Sequence, residues 1–173
     1  MMKYATYGMM AMLSLALFGC AAQAPVAQKT QMEIREFQTR NYDTTNFKMV
    51  MKSVMSSLQD DSYIIQQANV DLGLLTARKD IDTTDTTAAG WSEFAAALNG
   101  TPNSARYEKN TIIEASANIS SFGESTRVRV NFSKKKMNNR NEVMSVEQID
   151  DSQFYQIFFS KVDKGIFIGK EGL

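Results

Sequence analysis

The 173-residue chain has no histidine and only one cysteine, Cys20. The lack of histidine excludes the Ser-His and Cys-His pairs of nucleophilic catalysis, and it excludes the common zinc sites whose ligands are histidine and cysteine. One cysteine cannot form a disulfide within the chain, so stability must come from packing. From these absences we predict a protein that is not an enzyme and that has no metal site and no cofactor.

The chain also lacks an excess of either charge, and it lacks a long apolar run. It contains 19 basic and 19 acidic residues, which gives no reason to expect a nucleic-acid partner. The longest uncharged apolar run near the start, from Met9 to Phe18, is only about half as long as a membrane-spanning helix. This run is therefore too short to span a bilayer.

The beginning of the chain has the order of a secretory signal. Lys3 supplies a positive charge, the short apolar run follows, and the small residue Gly19 precedes the cysteine. The tetrapeptide Leu17-Phe18-Gly19-Cys20 resembles the lipobox of bacterial lipoproteins, although its phenylalanine is bulkier than the residue usually found there. The alternative is an ordinary secretory signal that is cleaved near residues 22–24.

The lipobox resemblance implies a lipid anchor. Residues 1–19 would be removed as a signal peptide, and Cys20 would become the first residue, carrying a diacylglycerol and usually a third acyl chain such as palmitate. Two or more acyl chains are enough for stable anchoring. In the same family an aspartate after the cysteine favours the inner membrane, and here Ala21 takes that place. The resemblance therefore implies the outer membrane, with the domain facing the periplasm.

The part of the chain after residue 19 is long enough for one domain with a proper core. We predict a flexible tether over residues 20–32, which are mostly small and polar, and a single domain over residues 33–173. Residues 82–110 form an insert in this domain, with a polar loop before a short helix from Trp91 to Leu98.

The spacing of apolar residues predicts the elements of the domain. A mixed strand from Glu33 to Tyr42 comes first, and an amphipathic helix from Phe47 to Leu58 follows. Clean alternation then predicts a hairpin with one buried and one solvated face. The remaining segments are strands at 63–68 and 72–81, a loop at 103–110, hairpin strands at 113–120 and 127–132, a strand through Val146, and a helix that Asp150 and Gln153 open and that Gly165 or Gly169 ends.

This order predicts an α+β fold with two layers, in which two long amphipathic helices pack on a mostly antiparallel sheet. The succession over about residues 33–168 resembles the helix-grip domains in the lipoprotein C subunit of the bacterial β-barrel assembly machinery. It is also similar to small uncharacterised proteobacterial lipoproteins that contain a strand of the type DLGLLTARK. Both resemblances imply an accessory role in the cell envelope and supply no catalytic residues.

Two motifs suggest chemistry but lack the companions that it needs. Ser133 and Lys136 fit the S-x-x-K pattern of penicillin-recognising enzymes, whose two further motifs are missing here. Asp80, Asp82 and Asp85 lack the glycine and glutamate of a calcium-binding EF-hand loop, which makes a solvated polar loop the better interpretation. An enzyme that works through carboxylates alone would use a pair drawn from other residues, namely Glu114, Glu124 and Glu142.

Two groups of residues are candidates for binding a partner. The first is a set of basic residues predicted to cluster at one end of the hairpin, where they would meet lipid headgroups, lipopolysaccharide phosphates or an acidic partner: Arg127, Arg129, Lys134, Lys135, Lys136 and Arg140. The alternative is that these charges only protect the sheet from aggregation. The second group is Trp91 with Phe94, which either plug the sheet or form an exposed anchor for a partner.

The sequence therefore leads to two hypotheses of function. The first is a lipoprotein anchored in the outer membrane that acts as a non-enzymatic binding or scaffolding accessory of the cell envelope, with an envelope protein as its partner. The second is a carrier of a lipid or another apolar ligand, held in a cavity between helix and sheet.

Overall fold

The computed structural model describes residues 29–84, 86–101 and 104–171. The predicted signal peptide, Cys20 and most of the predicted tether lie outside these residues, as do Asp85 and Gly172. The helices and strands of the described part are α1 (Gln31–Phe37), β1 (Thr39–Tyr42), α2 (Phe47–Asp60), β2 (Ile64–Asn69), β3 (Leu74–Asp82), α3 (Thr86–Leu98), β4 (Glu108–Phe122), β5 (Ser125–Asn138), β6 (Val143–Gln148) and α4 (Ser152–Glu171).

The strands form one antiparallel sheet in the order β1-β5-β4-β3-β2, and β6 also pairs with β5. This architecture confirms the predicted α+β fold. Strand β1 pairs with Thr126–Arg129, whereas β6 pairs with Ser133–Met137. Both short strands therefore lie along the same edge of β5, and a gap at Val130–Phe132 separates them.

Helices α2 and α4 pack against one face of the sheet and enclose the core. Phe132 of β5 is almost fully buried at the centre of an aromatic cluster. Its ring centroid lies 4.9–5.9 Å from those of four other rings, in Tyr63, Phe154, Tyr155 and Phe158. Aromatic residues of the last helix thus fill the space between the two layers.

The prediction that Gly165 or Gly169 ends the last helix is wrong, because α4 continues through both glycines to Glu171. A Cβ atom on Gly165 would lie 3.2 Å from Cβ of Ser53 on α2, and one on Gly169 would lie 3.2 Å from Cγ of Met49. These glycines therefore let the two helices approach each other closely, and this contact outweighs the low helix propensity of glycine.

The predicted strand over residues 33–38 is also wrong, since α1 occupies this segment. Thr30 and Glu33 form a capping box: the Glu33 N–H donates to Thr30 Oγ1 at 3.3 Å, and the Thr30 N–H donates to Glu33 Oε2 at 2.6 Å. The Thr30 backbone N–H and the Thr30 hydroxyl both donate to the Glu33 carboxyl, and these two hydrogen bonds lower its pKa. Only the last four residues of the predicted strand, β1, pair with the sheet.

Further boundaries differ from the predictions, including those of β5, which runs from Ser125 to Asn138 and not only over 127–132. Helix α3 begins at Thr86, one turn before Trp91. Strand β4 begins at Glu108, in the predicted loop, because its first residues pair with the end of β5. The last helix takes its N-cap from Asp151, whose Oδ1 accepts hydrogen bonds from the N–H groups of residues 153 and 154, rather than from Asp150.

Candidate functional site

The face of the sheet opposite α2 and α4 carries a groove of about 700 Å³. The strand register places polar side chains in rows across this outer face, because paired residues of antiparallel strands point to the same side. One row consists of Arg78, Glu114, Ser133 and Gln148, and the next consists of Thr76, Ser116 and Asn131. The groove therefore has a polar floor, in contrast to the apolar opposite face.

The gap in the sheet edge brings α1 to this groove. The Val130 N–H donates to the carbonyl oxygen of Gln38 at 3.0 Å, and Gln38 is the residue just before β1. The N–H of Phe132 donates to the hydroxyl of Tyr155 at 3.1 Å, and the side-chain amide of Gln38 donates to the same hydroxyl at 3.2 Å. With its C-cap fixed in this way, α1 contributes Arg35 to the groove lining.

Four charged side chains line the groove, and two of them have partners. Arg78 pairs with Asp80 at 2.8 Å, and Glu114 pairs with Lys135 at 3.2 Å. Among the residues that the structure describes, Arg35 and Arg129 have no carboxylate within ion-pair distance. The groove therefore carries two uncompensated positive charges.

Two buried polar atoms at the groove have no hydrogen-bond partner in the described part of the chain. They are Nε of Arg129 and Oδ1 of Asn131, which lie two residues apart on the outer face of β5. Buried polar atoms in proteins are nearly always hydrogen-bonded, because leaving one unpaired costs free energy. These two unpaired atoms belong to residues that line the groove and lie side by side on the outer face of β5.

The basic residues predicted to cluster do not form one group. Lys136 is nine positions after Arg127, which places the two residues about 30 Å apart along an extended strand. Alternation divides the lysines as well, since Lys135 shares the outer face with Arg127 whereas Lys134 and Lys136 lie on the other face. A strand spreads charges that are close in sequence over its length and over both faces.

Most of these basic residues have a partner within the sheet. Lys134 pairs with Glu147 at 3.4 Å, and Lys136 pairs with Glu108 at 2.9 Å. The hydrogen bond between Lys136 and Glu108 lowers the pKa of the carboxyl and raises the pKa of the ammonium group. Arg127 stacks on the ring of Phe122, with 3.7 Å between the guanidinium carbon and the ring centroid.

Trp91 and Phe94 lie on the surface, so the interpretation of Trp91 as a plug of the sheet is wrong. Their side chains are 68% and 56% exposed, and their rings meet edge to face at a centroid distance of 6.0 Å. Leu98, one turn further along α3, is 73% exposed. None of the described side chains of α3 is buried, and the helix packs only weakly on the other elements.

The two chemical motifs are not assembled into sites. Ser133 and Lys136 lie inside β5 and not at the start of a helix. Glu124 and Glu142 lie in the turns at opposite ends of β5, and Glu142 accepts a hydrogen bond from Asn138 that lowers its pKa. Over the described ranges, no group of three carboxylate or other ligand residues is placed to hold a metal ion.

Sequence reasoning missed the groove itself and the contribution of α1 to it. The one available signal was the Thr30–Glu33 spacing, which is typical of a helix start. The gap in the sheet edge has no local signature, because it arises from where two short strands end on a third.

No known protein-family profile matches the chain, and no curated protein shows significant similarity to its sequence. Of the helices in the described part of the chain, none combines the length and the apolar composition that crossing a membrane requires.

Proposed function

We propose that the protein is a lipoprotein anchored in the outer membrane through Cys20, with its domain in the periplasm, where it acts as a non-enzymatic binding accessory of the cell envelope. The lipobox-like residues 17–20 support the anchor. Helix α1 begins only eleven residues after Cys20, and even a fully extended segment of that length spans no more than about 40 Å. The anchor would therefore keep the domain close to the membrane surface.

The observation that carries the binding role is the exposed apolar surface of α3. Trp91, Phe94 and Leu98 are all more than half exposed, although such side chains are costly to leave in water. A helix of this length is marginal by itself, and helices in proteins gain most of their stability from packing. Helix α3 therefore has an apolar surface that a partner would cover, and this surface includes a tryptophan, as many binding hot spots do.

The charge of α3 favours a protein partner over the lipid surface. Helices that lie in a membrane interface usually carry several Lys or Arg residues on their polar side. The only charged residue in α3 is Glu93, and its negative charge would be repelled by anionic headgroups. An apolar surface of another envelope protein fits this helix better.

The alternative function, a carrier of an apolar ligand between helix and sheet, has less support. The space between the layers is filled by the aromatic cluster around Phe132. One pocket at the edge of this interface, next to Phe154 and Ile157, measures about 250 Å³, which is below the range of about 300–1,000 Å³ that is usual for small ligands. Another, of about 410 Å³, lies outside the aromatic cluster, between α2 and the β2–β3 turn.

The anchor is tested by labelling intact cells with an alkyne fatty acid. The wild-type protein should be labelled and should fractionate with the outer membrane, because acylation requires the thiol of Cys20. The Cys20→Ser variant should be unlabelled and should leave the membrane fraction. Equal labelling of both proteins, or no change in fractionation, would contradict the anchor.

The contact through α3 is tested by photo-crosslinking in intact cells. A photoreactive phenylalanine replaces Phe94 in one variant and Phe167 in a control, since Phe167 is similarly exposed, at 63%, but lies on α4. We expect one discrete protein adduct from position 94 and none of that mass from position 167. Adducts with lipid only, or the same adduct from both positions, would refute a protein contact through α3.

A further inference from the structure

The groove on the outer face of the sheet has the composition of an anion site. Two guanidinium groups, those of Arg35 and Arg129, line it without a carboxylate partner in the described residues. Arginine is the side chain best suited to oxyanions, because its planar fork donates parallel hydrogen bonds to two oxygens.

The rest of the lining indicates the kind of molecule that carries the anion. Around the arginines lie hydroxyl and amide side chains, which would hydrogen-bond to hydroxyl groups of a ligand: Thr76, Ser116, Ser133, Gln31, Gln66 and Gln148. The amide of Asn131 also lines the groove, two residues from Arg129 on the same face of β5. The volume of about 700 Å³ is within the range for small-molecule sites.

From these observations we propose that the groove binds a small, soluble phosphate monoester with a polar, hydroxyl-bearing body, such as a sugar phosphate. A phosphate monoester carries between about −1.5 and −2 charges at neutral pH, which matches the two unpaired guanidinium groups. A single carboxylate would leave one of these charges uncompensated. Charge complementarity therefore favours the phosphate.

The roles of the individual residues follow from their positions. Arg129 lies on strand β5 and binds the phosphate through the terminal nitrogens of its guanidinium group. Arg35 comes from α1, on the side where the sheet edge is open, and supplies the second positive charge. The Asn131 amide donates a hydrogen bond to a hydroxyl group of the ligand.

The test is isothermal titration of the full-length acylated protein in detergent with glucose 6-phosphate. We expect saturable binding of one ligand per chain, and no binding of glucose. Arg129→Gln and Arg35→Gln should each weaken binding by about tenfold or more, since each removes charge-assisted hydrogen bonds to the phosphate. Arg127→Gln is the matched control. Arg127 lies on the same face of β5, but it contacts Phe122 and Asn41 outside the groove. This variant should therefore bind glucose 6-phosphate as tightly as the wild type.

Two further ligands test which kind of anion the groove binds. One carries a carboxylate, and the other carries a phosphate on a lipid. Glucuronate has a similar sugar with one carboxylate in place of the phosphate, and it should bind more weakly than glucose 6-phosphate. Dihexanoyl phosphatidic acid presents a phosphate monoester on a lipid. Binding of this lipid without glucose 6-phosphate, equal or tighter binding of glucuronate, or no loss of binding in Arg129→Gln would overturn the proposal.

Folding of the variants is checked separately by circular dichroism and thermal unfolding. Arg129 makes no ion pair among the described residues, so Arg129→Gln should unfold at the wild-type temperature or above it. Absence of glucose 6-phosphate binding by a folded wild-type protein would also refute the site. The groove and α3 are formed by different residues, so this result would leave the proposed contact through α3 standing.

Discussion

The hydroxyl of Tyr155 accepts a hydrogen bond from the backbone N–H of Phe132 at 3.1 Å. This bond lies in the gap between β1 and β6, where β5 has no neighbouring strand on that side. Strands β1 and β6 end on either side of this point, so the N–H would otherwise lack a partner. A side chain of the last helix thereby completes the hydrogen bonding of the sheet edge. Both residues are almost fully buried, so water cannot replace this bond.

We expect Tyr155→Phe to lower the free energy of unfolding by about 1–3 kcal/mol, because it leaves the Phe132 N–H and the Gln38 amide without their acceptor. Urea unfolding followed by circular dichroism measures this loss. The control is Tyr63→Phe, because the Tyr63 hydroxyl makes no hydrogen bond in the described residues. Its cost should be below about 0.5 kcal/mol. Equal losses in the two variants would show that the bond at the gap contributes nothing.

Gly73 and Gly123 allow a test of why a glycine is needed at a given position. The comparison separates the cost of a steric clash from the cost of a left-handed backbone conformation. Both have positive φ, at 64° and 60°. A Cβ on Gly73 would lie 1.9 Å from the carbonyl oxygen of Ile119, whereas a Cβ on Gly123 would meet no atom within 4 Å. Gly123→Ala should cost about 1–2 kcal/mol for the left-handed conformation alone. Gly73→Ala should exceed about 4 kcal/mol.

Thermal unfolding of the two alanine variants, followed by circular dichroism, separates these contributions. The Gly73→Ala chain must also break the bridge in which the Ile119 N–H donates to the Gly73 carbonyl oxygen at 2.8 Å. If both variants melt at the same temperature, the close approach of Ile119 to Gly73 does not add to the destabilisation.

Gly165 and Gly90 form a second pair, this time inside helices. Gly165→Leu should destabilise the protein by about 1–3 kcal/mol, because its side chain would be forced against Ser53 of α2. A Cβ on Gly90 would meet no atom within 4 Å, so Gly90→Leu should stabilise α3 by about 0.5–1 kcal/mol through helix propensity. Urea unfolding compares the two. A neutral Gly165→Leu would mean that α2 and α4 can separate without loss.

Stability should fall at alkaline pH because of buried tyrosines. Burial raises the pKa of Tyr63 to about 12, and burial together with the Asp163 carboxylate raises the pKa of Tyr42. The unfolded chain loses these protons near pH 10, before the folded chain does. The unfolded state then binds fewer protons, so the free energy of unfolding is constant below about pH 10 and decreases as the pH rises further.

Urea unfolding at several pH values between 8 and 12 measures this decrease, and absorbance at 295 nm follows the tyrosines of the folded protein. Tyr63→Phe should make the decrease smaller, because one of the shifted groups is gone. A free energy of unfolding that stays level up to pH 12 would contradict the predicted effect of burial.

Periodicity in the sequence was sufficient for the α+β fold, because most elements carry their own pattern. The spacing from Phe47 to Leu58 identified α2, and the alternation around Ala115 and Val130 identified the β4–β5 hairpin. Boundaries failed where a tertiary contact decided them. Gly165 reads as a helix end in the sequence, but the close packing on Ser53 explains why the helix continues.

The candidate site could be predicted only in part. The aromatic residues of α3 were identified from the sequence, whereas their exposure depends on what the rest of the fold leaves uncovered. Arg129 is among the basic residues that the sequence indicates. Its importance for the groove comes from its lack of a carboxylate partner, and this depends on strand register. Arg35 was assigned to a strand and could not be placed at the groove.

The hydrogen bond from Phe132 to Tyr155 has a consequence for the order of events during biosynthesis. A ribosome releases the chain from its N-terminus, so the six strands of the described part emerge before the tyrosine that closes the gap between two of them. Until that helix arrives, a nascent chain presents an unpaired backbone segment and a bare apolar face to its neighbours. Completion of the sheet is thus deferred to a late stage of synthesis, and shielding by a chaperone matters most in that interval.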